Sequence, residues 1–210
     1  MPLLYKNAKK KNMHDFSDNR LILFPRAILA RTNRAALLSV LRDAGLIAGE
    51  LAPADSVNGM EGHYLVGDRF FEHVSFLGCS PHLKLEPDED NSTEFCHVTV
   101  SCDDKVNFFS GGNVRAPQCP QCKTVENDWQ TLMPRWRKAP EVFTYQCTGC
   151  GATKPLHMFN WRRSAGFSAV SVQIWGVHQS EAVPNDGLLK ALEALTFCPW
   201  EYFYQNGQTN

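Results

Sequence analysis

Two pairs of cysteines constrain this chain more than any other feature of its sequence. Cys119 and Cys122 are separated by two residues, Cys147 and Cys150 likewise, and 24 residues lie between the pairs. A Cys-x-x-Cys turn presents two thiolates from one tight loop, so two such turns can surround a metal ion with four sulfur atoms. Zinc prefers this tetrahedral shell. The spacing therefore predicts one Zn2+ bound by these four cysteines.

The segments Cys119-Pro-Gln-Cys122 and Cys147-Thr-Gly-Cys150-Gly resemble the zinc-ribbon family over about residues 117–152. The resemblance implies a structural zinc, because four thiolates leave no position open for water or substrate. We expect Gly149 and Gly151 to supply positive φ angles where the backbone curls around sulfur. The segment between the two cysteine pairs is longer than the roughly 15–20 residues common in such modules, which predicts a longer hairpin loop.

A redox function is the competing interpretation of the first pair, since Cys119-Pro-Gln-Cys122 has the form of a glutaredoxin-type Cys-Pro-x-Cys motif. Such a motif follows a strand and opens a helix. Pro117 precedes this one, and residues 123–128 show no apolar periodicity. A redox pair would also leave the second Cys-x-x-Cys unexplained, so the sequence favours zinc.

The rest of the chain has the length and composition of a folded globular protein. It has 210 residues, of which 43% are hydrophobic and 20% charged, and this suits one main domain with a small insertion. The first thirty residues hold no apolar run typical of a secretion signal, and no segment is apolar enough for a membrane helix. We therefore expect a cytoplasmic protein with no membrane partner. Its eight cysteines then indicate metal binding or buried thiols.

Hydrophobic patterns predict an α+β fold, a mainly antiparallel sheet with two amphipathic helices and an inserted zinc ribbon. The helices are expected to begin at caps on Thr32 or Asn33 and on Asn185 or Asp186, and each has leucines on one face. Extended segments are predicted at 20–30, 70–77, 95–102, 170–177 and 200–204, with a loop at 49–63. The main domain is predicted to comprise 16–112 and 155–205, and the ribbon 113–154.

Positive charge is concentrated around the predicted ribbon, although the formal net charge of the chain is −1. Residues 105–163 contain nine lysines and arginines against three acidic residues. Two short runs combine tryptophan with cations, and their candidate binding residues are Arg135, Trp136, Arg137, Lys138, Arg162 and Arg163. Guanidinium groups pair with phosphates and indole rings stack on bases, which predicts nucleic acid, another anionic partner or a protein at this surface.

A structural interpretation of the same residues stays open. Small ribbons have few apolar residues, so Trp136 can instead pack on the ribbon as part of its core. The cations would then form a solvated surface that offsets the negative charge of four zinc-bound thiolates.

Cys79 and His82 follow the predicted strand at 70–77, where a loop can display catalytic groups. A thiol nucleophile activated by histidine would make the protein an enzyme. A second metal site is another interpretation, formed by Cys79, His82, Cys96, His97 and Cys102. The alternation of residues 95–102 places the last two cysteines on an apolar face and His97 on the other, which favours buried thiols.

The leading functional hypothesis is a non-catalytic binding or adaptor protein that contains one structural zinc. No His-Glu-x-x-His, Gly-x-Ser-x-Gly or Walker-type sequence is present, so no enzyme motif supports catalysis. The alternative is an enzyme with a pocket near Cys79 and His82, stabilised by the ribbon.

Overall fold

The computed structural model describes residues 19–51, 62–77, 83–87, 95–178 and 181–207. The strands in these ranges are β1 (Arg20–Pro25), β2 (Ile47–Glu50), β3 (His63–Val66), β4 (Val74–Phe76), β5 (His97–Ser110), β6 (Thr144–Gln146), β7 (Thr153–Pro155), β8 (Ala165–Trp175), β9 (Ala182–Pro184) and β10 (Trp200–Gln205). The helices are α1 (Arg34–Asp43), α2 (Phe70–His73), α3 (Met133–Trp136) and α4 (Asp186–Thr196), and single 3-10 turns lie at Trp129–Leu132 and Leu156–Met158. No helix in the described ranges is long and apolar enough to cross a bilayer.

Six of these strands form an antiparallel sheet in the order β10-β1-β8-β5-β3-β2. The apolar side chains of its central strands, such as Val98 and Val172, share one core with leucines from α1 and α4. Both long helices therefore cover the same face of the sheet. The predicted α+β fold, with its antiparallel sheet and two amphipathic helices, is confirmed.

Both helices begin at an asparagine that the sequence offered as a cap. The Asn33 side chain accepts a hydrogen bond from the Ala36 N–H at 2.7 Å, and Asn185 accepts one from Leu188 at 2.8 Å. An N-cap of this kind satisfies a backbone donor that has no partner inside the helix. Gly45 follows α1 with a φ of 71°, a left-handed conformation that glycine commonly adopts just after a helix.

The structure differs from the predicted elements between residues 45 and 77. Residues 47–50 and 63–66 are strands β2 and β3 of the main sheet, although 49–63 was expected to be a loop. The expected strand at 70–77 is one turn of helix, α2, followed by β4, which pairs with β9 outside the main sheet. The buried residues of this segment, Phe70 and Val74, are four apart, which suits a helical turn leading into a strand.

The predicted ribbon is inserted between β5 and β8, the two central strands. Their register is regular from Val98 to Cys102 and again from Asn107 to Ser110, with an irregularity between the two parts. The second part continues as a two-stranded arm beyond the rest of the sheet. The inserted segment packs on this arm and shares with it a second core: Ile28, Val106, Cys119, Trp129, Met133, Trp136, Cys147, Leu156, Phe159, Trp161, Ala165 and Phe167.

His97 is buried on the face of the sheet opposite the two helices. Its ring stacks on Trp175 with centroids 5.6 Å apart, and His63 lies 4.8 Å away. Its Nδ1 is 2.9 Å from the carbonyl oxygen of Phe95. Burial lowers the pKa of His97 to about 4, because an imidazolium loses its hydration there.

We expect this histidine to make the protein sensitive to acid. An unfolded histidine has a pKa of about 6.5, so below that value the unfolded chain binds more protons than the folded one. The free energy of unfolding then falls as the pH falls towards about 4, by up to about 3 kcal/mol for this residue. Urea unfolding at about pH 7 and about pH 4.5 measures it, and wild type should lose more stability than His97→Phe.

The matched control is His178→Phe, since His178 is an exposed histidine. Its loss of stability between the two pH values should equal that of wild type. An unchanged pH dependence in His97→Phe would contradict the expected effect.

Candidate metal centre

The four predicted cysteine ligands converge on one point. The sulfur atoms of Cys119 and Cys150 are 3.9 Å apart, those of Cys122 and Cys147 are 3.5 Å apart, and all four lie within 4.8 Å of one another. Sulfur atoms placed tetrahedrally at about 2.3 Å from Zn2+ are separated by about 3.8 Å. The donor set and its spacing therefore fit a metal such as Zn2+, and in the described part of the chain no other group of His, Cys, Asp and Glu side chains does so.

The two Cys-x-x-Cys turns are closed by the same pair of backbone hydrogen bonds. Cys119 O accepts from the N–H of Lys123 at 3.0 Å, and Cys147 O accepts from Gly151 at 3.0 Å. In the reverse direction, each first cysteine donates its N–H to the carbonyl five residues later, both at 2.9 Å. The residue after the second cysteine is left-handed in both turns, with φ of 65° at Lys123 and 72° at Gly151. The chain thus builds one local structure twice.

The predicted positive φ angle is confirmed at Gly151 but not at Gly149, which is not among the residues with positive φ. Gly149 is instead required by a close approach between the two turns. A Cβ atom at this position would lie 2.1 Å from Thr124 Oγ1, which is closer than non-bonded atoms can come. Its small size therefore lets the second turn pack on the first.

One cysteine of each turn is buried and the other is exposed. Cys119 and Cys147 are 0% and 2% exposed and belong to the second core, beside Trp129. Cys122 and Cys150 lie on the outer side of the cluster. The four cysteines are therefore half inside the second core and half at its surface.

Hydrogen bonds favour ionisation of one outer thiol. Cys122 Sγ is 3.2 Å from Thr124 Oγ1, and the hydroxyl and backbone of Thr124 lower the pKa of Cys122 to about 6. The pKa shifts in the opposite direction at the second pair: the hydrogen bond from the Cys150 N–H would lower the pKa of Cys147, but burial, Glu126 and Cys122 outweigh it and raise the pKa to about 12. Zinc binds the thiolate form, so metal binding would release the protons of these thiols. The redox interpretation has less support, because no helix begins at Cys119-Pro-Gln-Cys122 and its sulfur atoms face the second pair.

Glu126 is a component of the site that the sequence did not reveal. Its side chain is 3% exposed. The carboxylate accepts hydrogen bonds from Tyr145 Oη at 3.0 Å, Thr148 Oγ1 at 3.0 Å and the Thr148 N–H at 3.1 Å. Burial alone would raise the pKa of Glu126, but hydrogen bonds from Cys147, Tyr145 and Thr148 outweigh it and lower the pKa. Glu126 therefore ties the chain after the first turn to the second turn.

The candidate binding residues 135–138 are divided between core and surface. Trp136 is 2% exposed, and its ring packs on Phe108 and Phe167 in the second core. Its indole is consequently not available for stacking on bases. Trp136 is therefore a core residue, and its prediction as a binding residue is wrong. Arg135, Arg137 and Lys138 are exposed on either side of it.

Arg162 and Arg163 occupy a different place from the 135–138 run. They line a cavity of about 770 Å³ together with residues of β1 and β10, whereas Arg137 lines a smaller cavity of about 240 Å³ together with Lys105. The two cationic runs thus contribute to separate concave surfaces. Lys105 was not among the predicted site residues, because it is distant in sequence from both runs.

The other candidate centre lies mostly outside the described ranges, since Cys79 and His82 belong to the undescribed segment 78–82. Cys96 is buried in the first core, and burial raises the pKa of its thiol to about 12. Cys102 is half-buried against the same core. Both behave as structural thiols.

Comparison of the chain with models of protein families, with curated proteins and with solved structures gave no match.

Proposed function

We propose that this is a non-catalytic binding protein in which one structural zinc holds a cationic surface for an anionic partner, and that the partner is nucleic acid. The cationic surface is defined as Lys105, Arg135, Arg137 and Lys138. Four cysteines would fill the coordination shell of zinc, so the metal would have no open position for chemistry. Its role would be to fix the segment that carries the cations.

The observation that carries the proposal is the way Trp136 anchors its neighbours. Met133 and Trp136 are buried in the second core, whereas the cations that flank Trp136 face solvent. A short helix with two buried side chains is held in place, so the backbone that carries its arginines does not have to be ordered on binding. Guanidinium groups suit the oxygen atoms of phosphate groups.

Two of the three acidic residues at 105–163 are engaged elsewhere, and the third, Asp128, is exposed but forms no ion pair with the cationic surface. Glu126 is buried, and Glu141 is paired with Arg31 at 2.6 Å. None of the four side chains of the cationic surface forms an ion pair with a carboxylate in the described part of the chain. Their charge is therefore available to an anion.

We expect salt-sensitive binding of labelled single-stranded and duplex oligonucleotides, weakened by the double variant Arg135→Gln/Arg137→Gln. The slope of log K against log salt is negative, and each lost phosphate contact should reduce its magnitude by about 0.9 for a duplex and about 0.7 for a single strand. The two changes together should weaken binding by about tenfold at moderate salt. Fluorescence anisotropy at several salt concentrations measures both quantities.

Arg42→Gln/Arg69→Gln is the matched control, because it removes the same charge from exposed arginines in α1 and just before α2. This control should bind as wild type does. Equal weakening by both double variants would show only a net-charge effect, and absence of salt-sensitive binding in wild type would direct the search to a protein partner.

The enzyme alternative depends on Cys79 and His82, for which the described residues supply no geometry. The present proposal therefore rests on the metal cluster and the cationic surface.

A further inference from the structure

A cavity lies at the end of the main sheet where β1 ends and β8 and β10 begin. Its volume is about 770 Å³, within the range of about 300–1,000 Å³ typical of small-molecule sites. Segment 157–163 and the first residues of β10 both line it. The cavity is separate from the four cysteines and from the cationic surface, none of whose residues line it.

The wall at 157–163 contains two consecutive residues in a strained backbone conformation. Arg162 and Arg163 have φ of 52° and 53°. These angles lie in the left-handed region, which is unfavourable for residues other than glycine. Neighbouring side chains hold the turn: Asn160 Oδ1 accepts from the Arg162 N–H at 2.9 Å, and Ser164 Oγ donates to Trp161 O at 2.6 Å. Glycine would occupy either position without strain. The presence of two arginines there is unfavourable for folding alone, which points to a use for their side chains.

The two guanidinium groups face the cavity with unequal constraints. Arg162 is half-buried, and its Nη2 donates to Ala116 O at 2.6 Å. Its Nε is buried and has no hydrogen-bond partner within the described residues. Arg163 is exposed and lies over the Tyr202 ring at 5.8 Å. An anionic group seated here would give the exposed guanidinium of Arg163 an acceptor and would lie near the positive charge of Arg162.

The charge around the cavity favours an anion. Arg26 is paired with Glu201 at 3.2 Å, whereas Arg162 and Arg163 form no ion pair with a carboxylate of the described residues. His157 also lines the cavity, and burial lowers its pKa. The His157 imidazole is then uncharged at neutral pH and adds nothing to the charge of the cavity.

Aromatic residues also line the cavity, among them Trp161, Trp200 and Tyr202. The two tryptophans are only 5% and 6% exposed, so half-buried Tyr202 offers the most accessible ring of the three. Aromatic walls favour planar rings over flexible chains, since rings pack on one another in stacked or edge-to-face contacts. A ligand that combines a planar ring with an anionic group would therefore match both features of this cavity.

We infer that this cavity is a binding site for a small anion that carries a planar ring, with the anionic group against Arg162 and Arg163 and the ring among the aromatic side chains. A nucleoside monophosphate and an aromatic carboxylate are the two sources of this chemistry. The inference goes beyond the proposed function, because it concerns a different ligand and a different set of residues.

Isothermal titration calorimetry with four probes tests the site in the full-length, zinc-loaded protein. Adenosine monophosphate and 2-naphthoate carry both a ring and an anion, whereas adenosine lacks the charge and inorganic phosphate lacks the ring. At least one of the first two probes should bind about tenfold more tightly than adenosine and phosphate. Tighter binding of adenosine monophosphate would indicate a nucleoside monophosphate as the ligand, and tighter binding of 2-naphthoate would indicate an aromatic carboxylate.

Two variants connect binding to this cavity. Arg163→Gly removes the charge and the strained conformation together, so it should weaken binding by about tenfold while the Tm stays at or above that of wild type. Met158→Glu places a negative charge on the exposed rim of the cavity and should weaken binding without affecting the core. Arg137→Gln, outside the cavity, should bind the probe as wild type does.

The inference is overturned if neither ring-bearing anion binds at about 1 mM, or if Arg163→Gly and Met158→Glu both bind as wild type does. Oligonucleotide binding by the same two variants is measured in parallel. Intact oligonucleotide binding together with loss of the small anion separates this site from the cationic surface, and the reverse pattern would refute the cavity as the site of the anion.

Discussion

Cys122→Ser and Cys150→Ser are each expected to reduce the zinc content of the purified protein from about one ion per chain to almost none. These two ligands are exposed, so the substitutions remove little packing and their effect reports on the metal. Binding of structural zinc is worth roughly 10–16 kcal/mol in zinc-finger peptides. Its loss should therefore be the largest effect of any single substitution in this chain.

The consequences should be concentrated in the second core. Cys119 and Cys147 are part of that core, so release of the metal would loosen the tryptophans packed beside them. The first core contains none of the four ligands and should survive better. We expect a red shift of tryptophan fluorescence and loss of near-UV circular dichroism, with most of the far-UV signal retained.

Cys198→Ser is the control, because Cys198 is a half-buried thiol outside the cluster. It should retain both zinc and the tryptophan spectrum. Metal analysis that finds no zinc in protein purified without chelators, with Cys119 and Cys122 joined as a disulfide, would refute the structural-zinc proposal.

The parts of the fold that could be predicted are those with a regular pattern of apolar residues. Residues 95–102 alternate over a long stretch, and α1 and α4 combine a leucine stripe with an asparagine cap, so local sequence and tertiary packing agree there. Strands β2 and β3 have four residues each, too few to establish a period. β3 takes its place in the sheet by pairing with β5, and β2 by pairing with β3, and local sequence does not encode these pairings.

The site shows the same division between local and tertiary information. Spacing alone located the four cysteines, because a Cys-x-x-Cys turn is a local structure. It could not locate Trp136, whose neighbours Phe108 and Phe167 come from the two central strands. A tryptophan between cations has the same local sequence whether its ring faces solvent or the core.

Glu126 and Glu141 also show that local sequence does not reveal whether a side chain is buried. Both are acidic residues of the segment between the two cysteine pairs, and each contributes one negative charge to the sequence. The structure buries the first among three hydrogen-bond donors and leaves the second in a surface ion pair. Their substitutions should therefore have very different effects on stability.

Glu126→Ala is expected to lower the free energy of unfolding by about 4 kcal/mol, because a hydrogen bond to a charged group contributes roughly 1.5–3 kcal/mol and such contributions are only partly additive. The Tyr145 hydroxyl and the Thr148 N–H would be left without their acceptor. Glu141→Ala removes an ion pair whose side chains are 38% and 43% exposed, and such pairs contribute about 1 kcal/mol or less. Urea unfolding of both variants at neutral pH, with excess zinc held constant, gives the comparison. Equal destabilisation by the two substitutions would show that Glu126 does not hold the two cysteine turns together.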